Sequence, residues 1–147
     1  MSLSYNDSVK SIKDVSILIY AQDRRILFSK RSKNKRLYPS YWTMSAEGHI
    51  SKGEGAENTA HRELKEELGF DTNLTFLQKV KVNEPPHQYL TSCYLGKYQG
   101  EKIVIEPSEI EDIRFLNENE FNKLLETEKA TEFAKQFARD FWSGKYD

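Results

Sequence analysis

The sequence has little cysteine: Cys93 is the single thiol in 147 residues. One thiol cannot form an intrachain disulfide, and it cannot supply the several thiolates of a cysteine-rich metal site. A chain without disulfides fits a reducing compartment, so we expect a cytoplasmic protein.

Long hydrophobic runs are also missing. The longest, Val15 to Ala21, is interrupted by Ser16 and is far shorter than the roughly 20 residues needed to span a bilayer. The N terminus shows no basic-then-apolar secretion signal. The sequence therefore predicts no membrane-spanning segment and no membrane partner.

Neither sign of charge is in excess. The chain has 22 Lys and Arg against 23 Asp and Glu, a formal net charge of −1. This balance argues against binding to a nucleic-acid polymer, which depends on an excess of basic residues. The chain is 37% hydrophobic and 12% aromatic, and its length suits one domain over residues 1–147.

Apolar periodicity predicts a mixed α/β domain with a mixed or antiparallel sheet. Four-residue spacing marks a helix through Ala56, Ala60, Leu64 and Leu68 that ends at Gly69. A helical tail is predicted from Phe121 to Leu125 onward, with Phe133, Phe137 and Phe141 on one face. Strands are predicted at Ile12 to Tyr20, Ile26 to Phe28, Trp42 to Ala46, Leu74 to Val82, Gln88 to Tyr98, Ile103 to Ile105 and Ile113 to Leu116.

Three carboxylates crowd together on the first predicted helix. Glu63, Glu66 and Glu67 are three and four residues apart, which places them on neighbouring positions of one face. Arg62 and Lys65 offset part of the repulsion, but neither reaches all three. Two interpretations follow: a solvated helix face, or a site for a hard cation such as Mg²⁺, which prefers carboxylate oxygens.

The spacing around these carboxylates favours the second interpretation. The segment Gly48 to Phe70 reads GHISKGEGAENTAHRELKEELGF, and its nine constrained positions match Gly-x5-Glu-x7-Arg-Glu-aliphatic-x-Glu-Glu-x-Gly-hydrophobic. This pattern is the Nudix box, so the sequence resembles the Nudix hydrolase superfamily. The resemblance implies an α/β/α sandwich around a mixed β-sheet. It also implies metal-dependent hydrolysis of a small-molecule diphosphate, such as a nucleoside diphosphate derivative.

The resemblance also implies roles for single residues. Glu63, Glu66 and Glu67 become catalytic residues and ligands of Mg²⁺, with Mn²⁺ as a second possibility. Glu54 and Arg62 become a paired acid and base that fixes the loop against the helix.

Two further expectations concern the motif's ends and the general base. Gly48 and Gly69 are expected to supply backbone freedom. The general base stays open: it is Glu63, Glu66 or one carboxylate of the acidic segment EPSEIEDIRF, which is otherwise a solvated turn. The candidates in that segment are Glu106, Glu109 and Glu111.

The run SKRSKNKRLYPSYWTMSAEGH resembles the branch of the superfamily that includes isopentenyl-diphosphate isomerases. Those enzymes place a catalytic cysteine directly before a Gly-His pair, where this sequence has Glu47. Cys93 lies far downstream in a predicted strand, where a small buried hydrophobe is the expected role. His49 aligns with a metal-binding histidine of those isomerases, although a surface or hydrogen-bonding role is the alternative. Hydrolysis is therefore favoured over isomerisation.

The same run is basic. Arg31 and Lys35 are the residues predicted to bind substrate phosphates, with a solubilising loop as the alternative. A third possible function is a domain that binds a nucleotide without turning it over. Whether the protein is a monomer or a homodimer stays open.

Overall fold

The computed structural model describes residues 11–147. Residues 1–10 lie outside this range, so the structure does not bear on the prediction that the N terminus carries no secretion signal. The elements are β1 (Ile12–Tyr20), β2 (Ile26–Arg31), β3 (Trp42–Thr43), β4 (Ala46–His49), α1 (Ala56–Leu68), β5 (Leu74–Glu84), β6 (His87–Lys97), β7 (Ile110–Leu116), α2 (Glu118–Leu124) and α3 (Glu132–Trp142). None of the helices within residues 11–147 has both the length and the apolar character needed to cross a membrane.

The strands form one mixed sheet in the order β3-β2-β1-β6-β5, with β4 paired to β1 and β7 paired to β2. β1 and β6 are parallel, whereas the other pairs are antiparallel. β1 changes partner along its length, because Tyr20 pairs with Ile26 of β2 while Asp14 to Ile17 pair with β4. The predicted mixed sheet is confirmed.

Side chains of β1 alternate between two cores, one on each face of the sheet. Val15, Ile17 and Ile19 pack with α1, whereas Leu18 packs on the face covered by α2 and α3. Helices on both faces of one sheet make an α/β/α sandwich, as the resemblance implies.

The first helix ends where the sequence predicts, whereas the predicted helical tail is interrupted. α1 places Ala60, Leu64 and Leu68 in the core and stops at Gly69, whose φ of 75° is left-handed. In α3, Phe137 and Phe141 are buried, and the Thr131 side chain accepts a hydrogen bond from the N–H of Ala134. The predicted helical tail is therefore two helices, α2 and α3, each with its own cap.

The predicted strand at Ile103 to Ile105 is wrong. Val104 N–H donates to the carbonyl of Leu68 at 2.9 Å, and Glu106 N–H donates to that of Glu67 at 3.0 Å. The last carbonyls of a helix have no intrahelical donors, so this segment caps α1 instead of joining the sheet.

The predicted strand Trp42 to Ala46 is divided at Ser45, which lies between two other strands. Its hydroxyl accepts a hydrogen bond from Ile19 N–H at 2.8 Å and donates to Leu27 carbonyl at 2.6 Å. One side chain thus replaces backbone pairing between β1 and β2, which separates β3 from β4.

Candidate active site

One cleft of about 720 Å³ brings together the predicted metal-binding and phosphate-binding residues. Its lining comes from all seven named strands, from α1 and α3, and from the loops after β2 and before β7. The predicted residues on its walls are Arg31, Lys35, Glu63, Glu66 and Glu67.

The three carboxylates of α1 differ in their exposure. Glu67 is only 7% exposed, the Glu63 side chain is 14% exposed, and the Glu66 side chain is 57% exposed. The sequence places them on one face, but the loop and β4 packed against α1 cover that face unevenly. A buried, a half-buried and a solvated carboxylate result.

Arg62 offsets part of this charge. Its guanidinium holds Glu54 with two hydrogen bonds of 2.9 Å, and it also contacts Glu63 at 2.9 Å and Glu66 at 3.1 Å. The hydrogen bonds from Arg62 and from the Thr59 hydroxyl lower the pKa of Glu54 to about 2. The bidentate pair ties the loop after β4 to α1, which is the arrangement that the motif implies.

Glu67 receives no such neutralisation. One carboxylate oxygen accepts a hydrogen bond from Glu47 N–H at 3.4 Å, and the other has no hydrogen-bond partner among residues 11–147. Burial, and the adjacent Glu63 carboxylate, raise the pKa of Glu67 well above its usual range. A buried carboxylate oxygen without a donor is rare in folded proteins, which makes Glu67 a candidate for binding a cation.

Gly48 provides room for Glu63. An ideal Cβ at Gly48 would lie 2.1 Å from Cδ of Glu63, closer than any non-bonded contact allows. The expectation of backbone freedom holds at Gly69, whose φ is positive, but Gly48 is not among the glycines with positive φ. Gly48 is needed because the Glu63 carboxylate passes directly over it.

The donor set suits a hard divalent cation. Glu63 and Glu67 offer closely spaced carboxylate oxygens, and Glu66 lies one turn along the same cleft wall. Within residues 11–147, no three His, Cys, Asp or Glu side chains converge in a metal-holding arrangement. Arg62 contacts one oxygen of Glu63 and one of Glu66, and each carboxylate has a second oxygen with which to bind a cation.

The predicted phosphate-binding residues also have carboxylate partners. Arg31 lies 3.8 Å from Glu47 and donates to the Leu37 carbonyl at 2.9 Å, while Lys35 lies 2.7 Å from Glu109. Their side chains are 20% and 29% exposed, which is less than a solubilising loop would leave them.

The candidates for the general base separate by position. Glu106 and Glu109 lie on the cleft wall. Glu111 lies outside that lining and contacts Lys30 at 3.8 Å and Ser40 at 3.1 Å.

Cys93 does not line the cleft. It is 1% exposed within the core beneath α3, and burial raises the pKa of its thiol to about 12. His49 lies on the cleft wall at the exposed end of β4. The structure therefore places a carboxylate, Glu47, and no thiol beside the Gly48–His49 pair.

A polar pair on the cleft floor was not predicted from the sequence. Asp14 and Thr91 face each other across β1 and β6, and the Thr91 hydroxyl donates to Asp14 at 2.6 Å. Burial raises the pKa of Asp14 to about 7. In the sequence, the one indication of this site is that Asp14 is the single acidic residue within the otherwise largely apolar strand β1.

Comparison with known proteins shows the family of this chain. Residues 10–141 match the NUDIX domain family, and the chain belongs to that family. An uncharacterised Nudix hydrolase of Listeria innocua is 28% identical over 115 residues, which are 75% of this chain and 66% of the relative. Isopentenyl-diphosphate Delta-isomerase 2 of Photorhabdus laumondii is 31% identical over 107 residues, 69% of this chain and 60% of the relative.

The fold is shared with solved structures of low sequence identity. The NUDIX domain of NrtR from Shewanella oneidensis, whose structure was solved in complex with ADP ribose, superposes with a TM-score of 0.74 at 17% sequence identity. That match covers 95% of this chain and 93% of the other. The chain spans about two thirds or less of the curated relatives described above.

The unneutralised charge of Glu67 leads to a stability prediction. A carboxyl whose pKa is higher in the folded state than in the unfolded state stabilises the fold at low pH. That stabilisation is lost as the pH rises above the unfolded-state pKa, which is near 4.5 for Glu67. Glu67→Gln is therefore expected to raise the melting temperature of metal-free protein at pH 8 and to change it little at pH 4. Melting curves in chelator at both pH values test this, with Glu57→Gln on the exposed first turn of α1 as control. A lower melting temperature for Glu67→Gln at pH 8 would contradict the assignment.

Proposed function

We propose that this protein is a metal-dependent hydrolase that cleaves the diphosphate linkage of a nucleoside diphosphate derivative. One observation carries the proposal: the buried Glu67 carboxylate, with an oxygen that has no partner among residues 11–147, lies beside Glu63 in a cleft that also presents Arg31 and Lys35. A cation-binding cluster opposite two cationic side chains suits a diphosphate, whose oxygens interact with both.

In this proposal Glu63, Glu66 and Glu67 hold Mg²⁺ or Mn²⁺. Bound there, the metal neutralises phosphate oxygens and acidifies a water molecule. Arg31 and Lys35 orient the diphosphate by exchanging their present carboxylate partners, Glu47 and Glu109, for phosphate oxygens.

Hydrolysis then forms one bond and breaks another. The oxygen of water attacks a phosphorus, the bridging phosphorus–oxygen bond breaks, and the water proton passes to a carboxylate. Outside the box we favour Glu106 over Glu109 as that base, because the backbone N–H of Glu106 donates to the Glu67 carbonyl at 3.0 Å and keeps Glu106 next to the acidic cluster.

A nucleoside diphosphate derivative is supported by the ADP ribose bound to a domain of the same fold. Isomerase activity is the second candidate, because a relative carries that name. Two observations argue against it: Cys93 is buried and does not line the cleft, and Glu47 occupies the position before Gly48 where those isomerases have a thiol. A cytoplasmic location is part of the proposal and rests on the single cysteine.

A substrate panel tests the proposed function. The full chain is incubated with nucleoside diphosphate derivatives and with isopentenyl diphosphate, with Mg²⁺, with Mn²⁺ or with chelator, and products are identified by mass spectrometry. Calorimetric titration with each metal gives a readout independent of turnover. Metal-dependent release of two phosphate-containing products is expected. Deuterium incorporation into isopentenyl diphosphate without cleavage would show the isomerase, and nucleotide binding without turnover would show a sensor.

A further inference from the structure

The cleft has a second acidic region on the sheet face opposite α1. Asp14 of β1 pairs in register with Thr91 of β6, and Leu18 and Cys93, further along those strands, lie in the core beneath α3. Strand alternation therefore puts Asp14 and Thr91 on the α3 face, at a point where they line the cleft. Glu84, at the end of β5, lines the same region.

Asp14 is held in a fixed orientation. Thr91, which is 4% exposed, donates its hydroxyl to one carboxylate oxygen of Asp14 at 2.6 Å. A rigid carboxylate at the floor of an open cleft accepts hydrogen bonds with defined direction. Because burial raises the pKa of Asp14 to about 7, a ligand that donates an N–H to this carboxylate stabilises its charged form.

Aromatic side chains border this carboxylate. Tyr89 lies two residues before Thr91 on β6, and Tyr38 reaches across from the loop after β2 to donate its hydroxyl to Glu84 at 2.9 Å. Both rings line the cleft together with Val82. Such surroundings suit a flat ring, which packs on aromatic and aliphatic side chains while its edge forms hydrogen bonds.

Carboxylates surround Asp14, because Glu47 and Glu84 both act on it and line the same cleft. These acidic neighbours disfavour a phosphate in direct contact with Asp14, whereas Arg31 and Lys35 on the walls of the cleft attract phosphate. A group that contacts Asp14 is therefore expected to be uncharged or cationic and to bring hydrogen-bond donors.

We propose that Asp14 selects substrates by accepting a hydrogen bond from the exocyclic amino group of a nucleobase, so that adenine and cytosine derivatives are preferred to their oxo counterparts. This inference rests on the proposed function, because it assigns the non-phosphate end of the same substrate. Asp14 is a specificity residue, and the diphosphate chemistry occurs at the α1 carboxylates.

Two matched substrate pairs test the assignment. ADP-ribose and IDP-ribose differ by an amino or an oxo group at one ring carbon, and CDP-glucose and UDP-glucose differ in the same way. The wild type is expected to favour the amino member of each pair in kcat/KM. Asp14→Asn presents an amide N–H₂ in place of an acceptor, so the amino-to-oxo ratio is expected to fall by about tenfold or more. Asp23→Asn, in the turn between β1 and β2 and outside the cleft lining, is the matched control.

The outcomes separate the two levels of the proposal. If the wild type cleaves none of the four compounds with Mg²⁺ or Mn²⁺, the proposed function fails. If the wild type cleaves them but favours the oxo members, or if Asp14→Asn slows both members of a pair equally, the Asp14 assignment is overturned while the function stands. If circular dichroism shows that Asp14→Asn does not fold, Thr91→Val is tested in its place. This substitution removes the hydroxyl that orients Asp14, so the amino-to-oxo ratio of kcat/KM is expected to fall. An unchanged ratio in Thr91→Val would then reject the assignment.

Discussion

Replacing Glu67 with glutamine is expected to lower kcat/KM for the preferred diphosphate by about two to three orders of magnitude. A neutral amide keeps the size of the side chain but binds Mg²⁺ poorly, and Glu67 is the most buried of the three α1 carboxylates. Steady-state kinetics measure the loss, and calorimetry with Mg²⁺ or Mn²⁺ is expected to show weaker metal binding. Glu66→Gln is expected to act in the same direction.

The matched control is Glu57→Gln, which changes an exposed carboxylate on the same helix outside the cleft lining. It is expected to retain wild-type turnover. Because Glu67→Gln is also expected to stabilise the metal-free fold, an inactive variant that melts at or above the wild-type temperature separates catalysis from folding. Near-normal turnover in both Glu66→Gln and Glu67→Gln would reject these residues as metal ligands.

Adding one methyl group at Gly48 is expected to have the second-largest effect. The new Cβ would fall 2.1 Å from Cδ of Glu63, so that carboxylate must move away. Because the clash involves the end of a flexible side chain, the fold is expected to survive while kcat/KM falls by about 100-fold. Turnover and circular dichroism of Gly48→Ala measure the two effects separately.

Gly55→Ala provides the control for this substitution. Gly55 lies at the start of the same helix, its φ of −81° suits any residue, and no atom lies within 4 Å of an added Cβ. Turnover close to wild type is expected there. If Gly48→Ala were as active as Gly55→Ala, the position of Glu63 would not matter for the reaction.

The elements with strong periodicity were predicted well. β1 was predicted with its observed bounds, and α1 was predicted with its buried stripe and its glycine stop, because local apolar spacing decides both. The segment from Ile103 to Ile105 has the composition of a strand, but its N–H groups bond to the end of α1, a partner distant in sequence. Ser45 is a similar case, since its hydroxyl replaces backbone pairing between strands that only the fold brings together.

By itself, the sequence determined the family of this protein and the helix that carries its acidic cluster, because the motif that contains Gly48, Glu54, Arg62 and the glutamates is local and complete. Only the tertiary structure decided which glutamate is buried, why Gly48 must lack a side chain, and that Asp14 and Thr91 meet on the cleft floor. Burial and desolvation depend on neighbours from distant parts of the chain. The chemical character of each carboxylate therefore follows from the fold and not from its position in the motif.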